Sequence, residues 1–354
     1  MLKWFEQVSE GQPNIVSSRV RLVRNWEQYH FPKALSARES EELVKRLEYG
    51  LKDLKELDGN GYEYVYLEEL DELSRRALRE RRIINSSILE KKETVGLIVS
   101  EDESVSVVLN GDDHIRMQLL SPGLHLNELW KRADQMDDYV NARFSYAFDE
   151  KYGYLTSFPT NVGTGMRASV TLHLPSLSMG KKFQSLIGDM SRFGVTLRGV
   201  YGEGNENYGA LYEVSNQKTL GLSEQEIIDV VARVANQLNR QECQVRELAL
   251  ENHRLEREDE AYKSYGVLKY ARRLSNKDAM MFLSQLMSGA DDGLIHFKEP
   301  CSIYRLMLGI QTANLQKLSR RPLNKEELDV ARAGYLRVEL PEIEEDEYRR
   351  TEHD

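Results

Sequence analysis

Cysteine is nearly absent from this 354-residue sequence: Cys243 and Cys301 stand far apart and outside any CxxC spacing. Two such residues build neither a disulfide framework nor a zinc site, and they fit a chain kept in a reducing, cytoplasmic compartment. Long hydrophobic runs are also missing. Nothing approaches the roughly 20 apolar residues of a membrane helix, and short runs such as Val95–Val99 have the length of buried strands. The opening Met-Leu-Lys-Trp-Phe-Glu-Gln, with Glu6 and Glu10 nearby, is not an ordinary secretory signal. Histidines number only 7 and are scattered, so no metal ligand is assigned. The net charge of −10 disfavours non-specific nucleic-acid binding. No GxxxxGK[ST] occurs, no GxGxxG follows a strand, and neither HRD nor DFG is found, which removes the common nucleotide-binding frameworks.

What is present changes character along the chain. Residues 1–37 are irregular apart from a β-like stretch, Asn14–Leu22. Leu43, Leu47, Leu51 and Leu54 give Ser40–Leu57 a helical period, stopped by Asp58-Gly-Asn-Gly61. A second amphipathic helix is expected over Leu67–Arg82. Thr94–Ser100 and Ser104–Asn110 form a hairpin, which His114–Leu120 extends. Leu124–Phe148 reads as helix, Tyr154–Ser157 and Arg167–Leu174 as strands, Leu177–Phe193 as helix, and Val195–Val200 and Ala210–Ser215 as strands. From Ser223, which forms a capping box with Glu226, the pattern is almost entirely helical: one helix to Tyr262, then Asn276–Met287, Ile303–Leu318 and Lys325–Leu336. No internal repeat or long linker is found. The acidic end, Glu342–Glu347, reads as a solvated tail. The expected fold class is α+β, with a mixed domain over 14–243 and an all-helical domain over 244–354.

The chemistry-bearing residue of this sequence is arginine. It stands beside strands and tight turns in Ser17-Ser-Arg-Val-Arg21, Arg81-Arg82, Asp112-Asp-His-Ile-Arg116, Gly163-Thr-Gly-Met-Arg167 and Arg198-Gly-Val-Tyr-Gly-Glu203. Residues two apart on a strand share a face, so Arg19 and Arg21 project together. Paired guanidinium forks suit a polyphosphate. Taken singly, each arginine reads equally as a surface cation or a salt-bridge partner. Gly163 and Gly165 allow a backbone path that presents N–H groups to an anion. Asn110-Gly-Asp-Asp113 follows an apolar strand, and both a hairpin turn and a catalytic carboxylate fit that place. The loop Gly202–Gly209 reads either as a flap over a site or as an ordinary solvated loop.

In this order the segments resemble the phosphagen kinases, the family of creatine and arginine kinases. The family shows S-S-R-V-R, N-E-E-D-H-[LI]-R, C-P-[ST]-N-[LV]-G-T-G-[LM]-R-A and an R-G-x-x-G-E loop. Here these stand as Ser17–Arg21, Asn110–Arg116, Phe158–Ala168 and Arg198–Glu203, and Ser215-Asn216 with Leu220–Glu224 matches the domain's end. The short segment before Ser17 and the helical extension resemble the bacterial branch that phosphorylates arginine in proteins, the McsB type. The resemblance implies an antiparallel sheet flanked by helices, followed by an all-helical C-terminal domain. It implies ATP with Mg²⁺ as cofactors, the metal resting on nucleotide oxygens. The implied nucleotide site comprises Ser17, Ser18, Arg19, Val20, Arg21, Arg82, Arg116, Arg167, Ala168, Ser169, Val170, Thr171, Arg198, Gly199, Val200, Tyr201 and Gly202. Asp112 and Glu203 are the implied catalytic carboxylates and, with Phe158, the substrate contacts. Asp329 and Arg332 match the branch's phosphoarginine-binding motif. The implied partners are proteins with exposed arginine, a second copy of the chain bound through residues 244–354, a zinc-binding activator and a Clp-type AAA+ protease, in a stress response; no nucleic acid and no membrane are expected.

Three positions depart from the pattern. Asp112 stands where the family has Glu, one methylene longer, and a displacement near 1 Å at a reacting group can cost about 10²-fold. Phe158 replaces a reactive cysteine, so no thiol tunes that position; its ring can instead face a guanidinium. Leu328 replaces the first arginine of the phosphoarginine motif, leaving Asp329 and Arg332 as that site's remnant or as a solvated helix pair. Three activities are therefore set against one another: phosphorylation of protein arginine, a catalytically weak adaptor that binds nucleotide or phosphoarginine proteins, and phosphorylation of free arginine.

Overall fold

The computed structural model describes residues 1–8, 11–201 and 207–344. Strand β1 (Ile15–Arg24) is followed by α1 (Ala37–Leu51), α2 (Lys55–Asp58), β2 (Tyr62–Tyr66), α3 (Glu72–Glu80) and α4 (Ser86–Leu89). Next come β3 (Gly96–Ser100), β4 (Val105–Leu109), β5 (Ile115–Pro122), α5 (Leu126–Asn141) and a small ribbon of β6 (Phe148–Asp149) and β7 (Gly153–Tyr154). Strand β8 (Met166–His173), α6 (Pro175–Met179), α7 (Phe183–Asp189), β9 (Val195–Gly199) and β10 (Leu211–Asn216) complete the mixed part. The helical part is α8 (Glu224–Tyr270), α9 (Asn276–Asp291), α10 (Ile303–Gly309), α11 (Thr312–Lys317) and α12 (Lys325–Glu339). Eight strands form one antiparallel sheet in the order β2-β3-β4-β5-β1-β8-β10-β9.

The two-residue period of the strands gives the sheet two unlike faces. On one, Val20, Leu22, Ile115, Met117, Leu119, Met166, Ala168, Val170 and Val214 pack against α1, α5 and the first half of α8. The helices supply matching stripes, such as Leu43, Leu47 and Leu51 of α1 and Leu129, Ala133, Met136 and Val140 of α5. The opposite face is apolar only at its ends. Near β3 and β4, Leu97 and Val108 meet Ile83, Ile84 and Ile88 around α4. At the other end, Val16, Leu120 and Leu211 meet Met280, Leu283, Leu306 and Met307 of the helical part. Between these two apolar seals lies a polar strip, and that strip positions the site.

Several elements are shorter or longer than their sequence pattern suggests. Glycine breaks the expected helix 177–193: Gly180 leaves α6 in extended conformation, and α7 starts afresh at Phe183. The expected helix 303–318 divides at Gly309, packed so closely on Tyr335 that a Cβ has no room. Of the expected strand 154–157 only Tyr154 lies in a strand, β7, and the helix expected to reach residue 148 ends at Asn141. Conversely, α8 starts at the Ser223–Glu226 capping box and continues to Tyr270, 47 residues, with a non-helical residue at His253. Its first half buries Ile227, Val231 and Leu238 in the sheet's core and its last turns bury Ala261, Tyr265 and Leu268 among the other helices. A helical run kinked at His253 thus joins both parts.

Candidate functional site: an arginine-lined cleft

Alternation along β1 puts Arg19 and Arg21 on the polar strip together with Ser17. Arg21 lies opposite Gln118 of β5 on one side and Arg167 of β8 on the other. Arg19 lies opposite Leu120 and Ser169, and Arg116 opposite Val23. Glu213 of β10 pairs with Thr171 and with Arg198. Arg82 enters from the turn after α3, in left-handed backbone conformation (φ 64°), and Gln118 Nε2 donates to its carbonyl at 2.9 Å. Six arginines thus converge on one strip. Arg19, Arg21, Arg82 and Arg116 line a cleft of about 680 Å³, within the size range of ligand sites.

Glu213 is the carboxylate at the centre. It accepts two hydrogen bonds from Arg19 (2.8 and 3.0 Å) and another from Arg82. Burial pushes its carboxyl up, but the charges of Arg19 and Arg82 outweigh that and hold it at about 2. Burial, opposed by Glu213, lowers the Arg19 guanidinium to about 10; burial together with Arg19 does the same to Arg116. Arg21 lies well below the ordinary arginine range, first through burial and then through Arg116, Arg19 and Arg167. Neither Arg21 nor Arg167 donates a side-chain hydrogen bond to another described residue. A strip with this excess of buried positive charge is an anion site of the kind that polyphosphates fill.

Asp112 stands at the cleft's edge, in the turn between β4 and β5. Its Oδ2 accepts from Asn85 Nδ2 and Ser87 Oγ, both at 2.9 Å, and Asn85 in turn accepts from Arg116 at 3.1 Å. Its Oδ1 accepts no hydrogen bond from the described residues, so one carboxylate oxygen is held and the other is available. Gly111 lets this turn lie against α4, since a Cβ there would meet Ile88 and Val108 at 3.0 Å. Next in the chain, Asp113 is buried and accepts from Asn25 (2.8 Å) and from the Ser157 amide (2.6 Å). It thereby ties the loop of Phe158 to the Asp112 turn. Phe158 is exposed, with Lys33 Nζ 5.8 Å from its ring centre.

Sequence comparison sets this geometry in a lineage. Residues 42–245 match the model of the ATP:guanido phosphotransferase C-terminal catalytic domain. Residues 254–351 match the protein-arginine kinase McsB C-terminal domain. The protein-arginine kinase of Desulforamulus reducens is 40% identical over 96% of this chain and 95% of its own length. That of Bacillus subtilis is 38% identical over 95% of this chain and 93% of its own length. The chain belongs to the protein-arginine kinases. Among solved structures, the duplicated taurocyamine kinase of Schistosoma mansoni with transition-state analogue components is 25% identical with a TM-score of 0.59; the match covers 70% of this chain and 36% of that one. Lombricine kinase, 20% identical with a TM-score of 0.58 over 71% of this chain and 72% of its own, shares the fold.

The kinase's strands sort the expected nucleotide contacts by face. Ser17, Ser169, Thr171 and the arginines share the cleft face, but Ser18, Val20, Ala168 and Val170 are buried on the opposite one. Ser18 accepts from the His125 amide (3.0 Å) and donates to the Gly123 carbonyl (2.7 Å), fixing the entry to α5. These four side chains point away from the cleft, because a run of consecutive strand residues always divides between two faces, which leaves only their backbone for a nucleotide. Arg198 and Gly199 end β9 exposed, Val200 and Tyr201 pack on the helical part, and Gly202 and Glu203 lie outside the described residues.

The fold also engages residues of two other expected segments. Two amides of the Gly163–Gly165 loop are spent inside the fold: those of Gly163 and Thr164 donate to the Tyr154 and Thr219 carbonyls, and the Gly165 carbonyl accepts from Val23. Gly165 is required because a Cβ would lie 2.6 Å from the Arg24 guanidinium, which is buried on Asp137. Arg332 is not a solvated partner of Asp329. It is 3% exposed and donates to the Ile310 and Leu274 carbonyls (3.1 and 2.8 Å) as well as to Asp329 (2.7 Å). Those bonds make it an internal tie of the helical part and withdraw it from the surface.

Sequence reasoning passed over Glu213, Asn85 and Glu80. Glu213 sits in an ordinary-looking strand, although its alternation with Tyr212 and Val214 was readable. Glu80, at the end of α3, accepts from the Ala313 and Asn314 amides (2.9 Å each) and Asn314 Nδ2 (3.1 Å). It ties the helix that leads to Arg82 to α11 of the helical part. Glu80→Ala strands those amides without an acceptor and is expected to cost about 1–3 kcal/mol, read as a lowered denaturation midpoint with a raised apparent KM for ATP. An unchanged KM would show that α3 holds Arg82 without this tie.

Proposed function

We propose that this kinase transfers the γ-phosphoryl group of ATP to the guanidinium of arginine side chains in proteins, with Asp112 and Glu203 as its carboxylates. The observation that carries the assignment is the juxtaposition, on one strip, of the buried arginines with Asp112, whose Oδ1 is free of other described residues. A guanidinium is always protonated and a poor nucleophile. A carboxylate on each side aligns its planar fork with the γ-phosphorus. As the N–P bond forms and the P–O bond to ADP breaks, one of them accepts the displaced proton. Arg21, Arg116, Arg167 and Arg198 offset charge on the transferring group, the term that dominates such reactions. No cluster of three or more His, Cys, Asp or Glu that could cage a metal occurs among the described residues. Mg²⁺ resting on the nucleotide's own oxygens would supply further charge neutralisation there.

On this reading residues 14–243 are the catalytic domain and 244–354 a dimerisation and substrate-recognition domain. No helix among the described residues is long and apolar enough to cross a membrane; a cytoplasmic place, a zinc-binding activator, a Clp-type AAA+ protease and a stress-response role belong to the proposal. Incubating the protein with Mg-ATP and an arginine-rich protein, then reading phosphoarginine by mass spectrometry without acid, tests the reading. Phosphate on arginine is expected, lost in Glu203→Ala and not competed away by free arginine. ATP binding without transfer would favour an adaptor, and efficient competition by free arginine a small-molecule kinase.

A further inference from the structure

The arginine cleft has a wall that the catalytic strands do not provide. Besides Arg19, Arg21, Arg82 and Arg116, it is lined by Asn276 and Met280 of α9 and by Gln311 at the α10–α11 joint, with Val200 and Tyr208 beside them. These residues lie at a definite end of the cleft. Asp112 marks the other end, next to Arg116. From there the face residues of β1 run through Arg21 and Arg19 toward Val16, Leu120 and Leu211, where the helical part is packed. A nucleotide with its γ-phosphate beside Asp112 and its phosphates along the arginines points its base toward α9 and Gln311.

The chemistry of that end suits a purine. Met280, Val200 and the Tyr208 ring give it apolar, polarizable surface. Gln311 is fixed in orientation: its Nε2 donates to the Met307 carbonyl at 2.8 Å and to Met280 Sδ at 3.6 Å. With the amide nitrogen engaged inward, its Oε1 is the group left for a ligand, and it accepts no hydrogen bond from the described residues. An acceptor there complements the exocyclic amino group of adenine and opposes the carbonyl that guanine carries at the same position. We propose that the helical part forms the base pocket of the nucleotide site, with Gln311 as the residue that selects adenine over guanine. This rests on the nucleotide reading of the arginine strip, and it gives the helical part a direct share in cofactor selection.

The test measures affinity of the full chain, by calorimetry, for Mg-ATP, Mg-GTP and Mg-tripolyphosphate. The wild type is expected to prefer ATP to GTP. Gln311→Ala should weaken ATP by about tenfold, the worth of one net hydrogen bond, leave tripolyphosphate unchanged and abolish the preference. Gln311→Leu, of similar volume, guards against loosening of the α10–α11 joint and should act alike. An ATP-to-GTP ratio that survives both Gln311 variants overturns the proposal. Failure of the underlying reading looks different: Arg21→Ala would then leave tripolyphosphate and ATP binding intact.

Discussion

Asp112→Asn is expected to lower phosphoarginine formation by about 10²–10⁴-fold, the usual worth of a positioned general base, while nucleotide affinity is retained. The substitution is nearly isosteric, and an amide oxygen can still accept from Asn85 and Ser87, which now hold Oδ2. What it removes is negative charge and the ability to take a proton from the attacking nitrogen. The result is read from initial rates of acid-free phosphoarginine detection beside an ATP titration. Undiminished turnover would assign the proton to the other carboxylate and leave Asp112 as a turn residue. The reverse exchange, Asp112→Glu, tests the shorter side chain. An added methylene moves the carboxylate relative to Asn85 and Ser87; a rate gain of several orders would favour the adaptor reading of the natural chain, and an unchanged rate would show that the aspartate already suffices.

Removing Glu213 is expected to be the most destabilising single change in the cleft. Arg19 and Arg82 are only 11% and 17% exposed, and Glu213 is their shared partner. Breaking a buried pair by deleting one side costs about 3–5 kcal/mol; here the loss leaves two buried cations facing further arginines. Glu213→Ala should therefore unfold at markedly lower denaturant, and ATP or tripolyphosphate should restore much of the loss by binding only the folded arginines. The same residue sets an acid limb. Its carboxyl is near 4.3 when unfolded and about 2 when folded. Its stabilisation is thus fully present above the unfolded value and disappears as pH falls through about 2, a contribution of about 3 kcal/mol. Acid titration of wild type against Glu213→Gln isolates it; parallel curves would mean that the pair contributes nothing to folding.

Much of this was readable from the chain. The mixed part followed by a helical one, the capping box at Ser223, the leucine stripe of α1 and the shared face of Arg19 and Arg21 all rest on local periodicity, which sequence carries directly. The motif order pointed to the guanidine kinases. Less readable was which members of a motif face the cleft: Ser18 and Val20 sit between cleft residues in sequence and on the far side of the sheet in space. The glycines before Arg167 signalled a special backbone, and the structure supplies the crowding behind it: the Thr219–Leu220 backbone at Gly163 and the Arg24 side chain at Gly165.

The sequence by itself determined the family, the type of fold and the arginine-bearing segments on which the proposed site rests. Only the tertiary structure decided that Glu213 neutralises Arg19 and Arg82, that Arg332 is an internal tie, and that Gln311 faces the same cleft as residues some three hundred positions earlier. The physical reason is range: periodicity and capping act over a few residues, whereas buried charges and cavity walls are defined by whichever strands and helices the packed core brings together.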